Sequence, residues 1–243
     1  MKTVIGSVLA LGMIGSASAA VECNTFPSNT IKGSVNDDVL ATNYTCTVAA
    51  SGFVNGSVSQ TGPGNLVIRG VVNGEVSETD DGNITIAGGK VGGSVREADR
   101  GSLVLRGGGS ANGGLEESGP GNVTVTVDIP GVVNAGIIES GAGSVFVTAS
   151  SGSYEGDISE NDGGFVDVTV EAGVSFKGSV EEAGVGDVTV DVSGVFEGNL
   201  IERAGGNVLT TGEGTFKGNS EHQLPGTCTN TIADFQGAVC NLL

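Results

Sequence analysis

A step of the form small-x-Gly-x-aliphatic returns along this chain at intervals of 18 to 23 residues, and no other feature limits the fold as much. With the glycine as anchor, copies begin at Gly33, Gly56, Gly74, Gly93 and Gly113. Ala135 then stands in for glycine, and the series continues at Gly156, Gly178, Gly198 and Gly218. The second residue after each of the first nine anchors is aliphatic, from Val35, Val58 and Val76 to Leu200. The eighth is glycine in nine consecutive copies, Gly64 to Gly226. Positions ten and twelve are mostly aliphatic again, as in Leu66 with Ile68 or Val188 with Val190. A chain phase-locked at this period is a solenoid in which each repeat makes one coil.

The apolar positions alternate with period two, β-branched residues dominate them, and glycine recurs where the chain must turn. That pattern selects strands over helices. The expected fold is all-β: a single-domain parallel β-solenoid of about ten coils with capped ends, each coil pairing with the next about 4.8 Å away. Inward positions should then stack on their own kind. Two residues before the anchor, Val54, Val72, Val91, Ala111 and Val133 are followed by Tyr154, Phe176, Phe196, Phe216 and Phe235. Half of the ten aromatic residues fall in this one file, which reads as an internal ladder rather than a ligand-binding stripe.

The chain divides into four segments. Residues 1–20 pair one lysine with a short apolar run and a small-residue end, Ala17-Ser18-Ala19, as a secretory signal peptide does. Residues 21–50 read as an N-terminal cap and first coil, 51–218 as the repeats, and 219–243 as a C-terminal cap. Four cysteines sit at the two ends. An even number placed this way suits disulfides in an oxidising compartment. Cys23 and Cys46 lie one coil length apart, and Cys228 with Cys240 would close a short cap. The protein is therefore expected outside the cell or on its surface, with no membrane insertion. Without its first twenty residues it keeps nine basic against 28 acidic residues, a balance of −19. No Lys/Arg cluster is present, which excludes nucleic acid as a partner.

Secreted right-handed β-helix proteins are similar in coil length and internal ladders. The step Val72-Asn73-Gly74-Glu75-Val76 also resembles the repeat of bactofilins, polymer-forming β-helical proteins. This resemblance covers residues 54–218 and implies a parallel β-helix and end-to-end self-association. The longer coil, the signal peptide and the cysteines depart from the bactofilin pattern.

The fourth residue after each anchor carries the most chemistry. It reads Asp37, Gln60, Glu78, Glu97, Glu117, Glu139, Glu160, Glu182, Glu202 and His222. Seven consecutive glutamates should form a file along one edge. Their parity is that of the inward aliphatics, but burial of unpaired carboxylates is costly. They are therefore expected at a corner where the strand ends, with the glycine four residues on turning the chain outward. Unit charges at strand spacing repel by roughly 0.9 kcal/mol even in water, so six neighbouring pairs cost on the order of 5 kcal/mol before screening. Three arrangements relieve this. Some glutamates protonate, or they accept backbone N–H groups in the turn, or they share divalent cations such as calcium, for which Glu78, Glu97, Glu117, Glu139, Glu160, Glu182 and Glu202 are the candidate ligands.

β-Helix enzymes that cut polysaccharides combine carboxylates with basic groups under long loops. Here His222 is the one histidine, and Arg69, Arg106 and Arg203 are scattered. No Ser/His/Asp, Cys/His or zinc-spaced set is present. The expected role is a non-enzymatic structural, adhesive or matrix-type surface protein without a cofactor, self-associating or contacting extracellular matrix or glycan. The alternative is a ligand-binding solenoid for divalent cations, glycans or ice, through the glutamate file or a threonine-rich face that includes Thr124 and Thr126.

Overall fold

Residues 20–130 and 132–243 are described by a computed structural model, so the expected signal peptide lies, but for Ala20, outside the described residues. Each coil supplies three short strands, one to each of three faces, and every pairing between coils is parallel. The first face is a 12-stranded sheet and the second an 11-stranded sheet. The third divides into sheets of five and six strands. The whole is a parallel β-solenoid of about 11 turns, with two 3-10 turns, Cys23–Thr25 and Pro27–Asn29, at its start.

Registers follow the repeat. Val76 pairs with Val95, Val95 with Leu115, Leu115 with Ile137 and Ile137 with Ile158. All five are buried in one continuous core, as are Leu66, Ile84, Leu103, Val123 and Val145 on the second face. Alternation along each strand is what puts them there, because successive side chains point to opposite sides of a pleated sheet.

Coil size and core residue change together. Second-face strands hold three or four residues in Leu66–Ile68 and Ile84–Ala87, but five in Val123–Val127, Val145–Ala149, Val166–Val170 and Val188–Val192. Third-face strands lengthen from two residues in Lys90–Val91 to three in Ser175–Lys177. The wider section is filled by larger side chains. Tyr154, Phe176, Phe196, Phe216 and Phe235 stack with ring centroids 4.4–4.8 Å apart and planes within 13° of parallel. The third face breaks where its strands lengthen, one coil before the aromatics begin: the Ser110–Ala111 strand ends one sheet and Val132–Asn134 begins the other.

In the first coil the register differs from the sequence alignment. Val35 pairs with Val54, while Val39 and Ala41 pair with Val58 and Gln60. Ala41 thus takes the place in the file that anchoring at Gly33 gives to Asp37. The physical reason is that Gly33 precedes the buried Val35 of the third face, whereas Gly56 follows the equivalent Val54, so the two glycines are not counterparts. At the far end the columns continue past residue 218, through Ser220–His222, Cys228–Asn230, Asp234–Gln236 and Asn241–Leu242. Both cysteine pairs stand at disulfide distance, Cys23 with Cys46 at Cα–Cα 6.1 Å and Cys228 with Cys240 at 5.4 Å.

Candidate functional site: a buried glutamate column

Glu78, Glu97, Glu117, Glu139, Glu160 and Glu182 follow one another in register on the first face, each directly paired with the next. Glu182 pairs with Glu202. All seven are buried, none more than 1% exposed. The corner position expected for them is therefore wrong, and strand parity prevails. Each glutamate closes a strand that opens on a buried aliphatic, as in Val76–Glu78 and Leu115–Glu117. The turn starts after it, too late to swing it out.

The following turn folds its backbone over the carboxyl. Glu117 Oε1 accepts N–H bonds from Gly119 at 2.9 Å and Gly121 at 3.2 Å. Glu139 Oε1 takes the same pair from Gly141 and Gly143, and Glu160 Oε1 from Asp162 and Gly164. Backbone donors two residues on also reach Glu78, Glu97, Glu182 and Glu202. The glycine four residues on has a second task, a close approach between coils. A Cβ on Gly121 would lie 1.3 Å from the Gly101 carbonyl oxygen, and one on Gly143 1.5 Å from that of Gly121. These glycines let neighbouring turns nest; they do not lead the glutamates outward.

The second carboxyl oxygen is a different matter. Oε2 of Glu78, Glu97, Glu117, Glu139, Glu160 and Glu182 is buried without a hydrogen-bond partner. Glu202 is the exception, because its Oε2 accepts Gln223 N–H at 3.4 Å. Burial pushes the pKa up at four of these carboxyls. Glu78 and Glu139 rise from 4.5 to about 7, Glu182 to about 8 and Glu117 to about 9, desolvation being the first cause in each. A neighbouring carboxyl adds to it at Glu78, Glu117 and Glu182, whereas at Glu139 the Glu117 carboxyl opposes it and Glu160 adds to it. Full ionisation is not sustainable. At an effective dielectric near 20, like charges at strand spacing repel by roughly 3 to 4 kcal/mol, and six pairs by roughly 20 kcal/mol. A folded domain has a net stability of only about 5–15 kcal/mol.

As a metal set, the seven glutamates offer one orphan oxygen per coil from Glu78 to Glu182, whereas calcium takes about six to eight oxygens. Among the described residues no three His, Cys, Asp or Glu side chains converge on a point that would hold a metal. His222 stands in the next coil after Glu202, partly buried, with an unpartnered Nδ1.

Two surface features accompany the column. On the second face Thr126, Thr148 and Thr169 stand in one outward rank, interrupted by Asp191 before Thr211. The neighbouring rank runs Thr124, Phe146, Asp167, Thr189 and Leu209. A shallow groove of about 430 Å³ lies beside the third-face break, between Gly113, Glu116, Ile138 and Asp157.

Sequence reading missed the corner ladders. Asn65, Asn83, Ser102, Asn122 and Ser144 each accept, on a side-chain oxygen, the N–H of the counterpart one coil later, at 2.9–3.3 Å. The signal was present in the sequence: the residue after each eighth-position glycine is Asn, Ser, Asp or Thr in all but one of the nine copies, Phe165 being the exception.

No protein-family model matches the chain, and neither a curated protein nor a solved structure does. Fold and site geometry thus carry the functional reading. Among the described residues no helix is long and apolar enough to cross a membrane.

Proposed function

We propose that the chain is an exported, non-enzymatic structural rod of the cell surface or extracellular matrix. The stacking of like residues from coil to coil supports this reading: it makes a stiff element out of a chain with few aromatics and 44 glycines. Cysteine pairs closing both ends suit an oxidising compartment. An acidic exterior, within a formal net charge of −18, keeps such a rod soluble and favours cationic surfaces. End-to-end self-association, as the bactofilin resemblance implies, would continue the parallel pairing from one molecule to the next.

Cell fractionation with thiol labelling tests the compartment. The protein should be found in the medium or surface fraction with all four cysteines oxidised. Electron microscopy of the purified protein should show rods or their end-to-end assemblies. A reduced cytosolic protein, or turnover of any polysaccharide in a substrate panel, would overturn the reading. The rank of Thr126, Thr148 and Thr169 favours a second one, adsorption to glycans or ice. Thermal hysteresis and glycan-array binding abolished by Thr148→Tyr would establish it.

A further inference from the structure

We propose that the column from Glu78 to Glu202 is a proton-binding chain, in which neighbouring carboxyl groups share protons through the core and hold the coils together best in acid. Six buried Oε2 atoms in consecutive coils have no partner. A carboxylate can only accept hydrogen bonds, whereas a neutral carboxyl also donates one. One proton between each neighbouring pair would give every orphan oxygen a partner. The protons come from solvent and need no co-reactant.

The ends of the column fit this assignment. Gln60 occupies the same file one coil before Glu78, fully buried, and is a neutral isostere of glutamate. Its Nε2 donates to the Gly62 carbonyl. At the other end both oxygens of Glu202 accept backbone N–H groups, from Ala204 and Gln223. Glu202 thus has no orphan oxygen, and the run of unpartnered atoms ends at Glu182. Among the described residues, the titratable and charged groups facing the column are its own glutamates, with Asp80 beside Glu78 and His222 in the coil after Glu202. Among the described residues, the buried side chains of the other two faces are aliphatic or aromatic apart from Ser144, Thr210 and the disulfide sulfurs. The raised pKa values of Glu78, Glu117, Glu139 and Glu182 agree with the geometry.

Infrared spectroscopy of the full exported chain in heavy water tests the assignment. At neutral pH the wild type should show a protonated-carboxyl C=O band that persists well above the pH at which exposed glutamates ionise. Glu117→Gln with Glu139→Gln removes two of the six orphan carboxyls and should remove about a third of the band. If that pair fails to fold, Glu139→Gln alone should remove about a sixth, and the wild-type band still decides. Absence of the band at neutral pH overturns the proposal, as does a band untouched by either variant. So does calcium raising the wild-type melting temperature while leaving both variants unmoved, because cations would then hold the column.

Discussion

Glu117 and Gly121 are four residues apart and act as one unit. The glycine's N–H serves the carboxyl, and its missing side chain admits the carbonyl of the coil below. Because Cβ overlap with backbone cannot be relieved by a rotamer change, Gly143→Ala should lose about 4 kcal/mol or more, measured by denaturant unfolding. A loss within ~0.5 kcal/mol would mean that the turns are not nested as described. The glutamate itself responds differently. Glu139→Gln keeps the shape and supplies an N–H donor, so its stability should fall less with rising pH than that of the wild type. Aliphatic positions were legible in the sequence because period-two alternation reports burial directly. The burial of the glutamates was not, because charge and parity gave opposite answers and the deciding fact, how far a carboxyl here departs from its usual acidity, depends on neighbours one coil away.

Elements show the same division. Second-face strands announce themselves through paired aliphatics, and the aromatic file was readable because it keeps a fixed offset from the anchor. The first coil was misaligned because Gly33 imitates an anchor, although the pairing of Val35 with Val54 and Val39 with Val58 puts it on the other side of the buried valine from Gly56. The third-face break left no motif; its trace is a change of strand length between Ala111 and Val133, one coil before Tyr154 replaces valine in the core. The aromatic stack should be a main source of stability in the second half. Phe196→Ala, which opens a cavity between Phe176 and Phe216, should lose about 3–5 kcal/mol. Exposed ion pairs on the third face, such as Lys217 with Glu197, should matter little, and Lys217→Ala should leave the unfolding midpoint unchanged within error.

At the scale of the whole molecule each coil touches only its neighbours, so stability is close to a sum of coils and interfaces. The ends are then the places to pin. Replacing Cys23 and Cys46 by serine should lower stability by about 3 kcal/mol, as loop closure predicts, with calorimetry as the check. The buried column gives the molecule a pH dependence opposite in sign to that of paired surface carboxylates. A carboxyl whose pKa is raised on folding holds extra protons in the folded state, so its stabilisation is complete below the ordinary value of 4.5. It is lost as pH rises through about 7 for Glu78 and Glu139, about 8 for Glu182 and about 9 for Glu117. The most direct measurement is the guanidinium unfolding midpoint of the wild type across that pH range. It should fall steadily from acid to alkaline pH, with net proton release on unfolding. A midpoint that stays flat, or that rises with pH, would contradict a buried, proton-holding glutamate column at the centre of this fold.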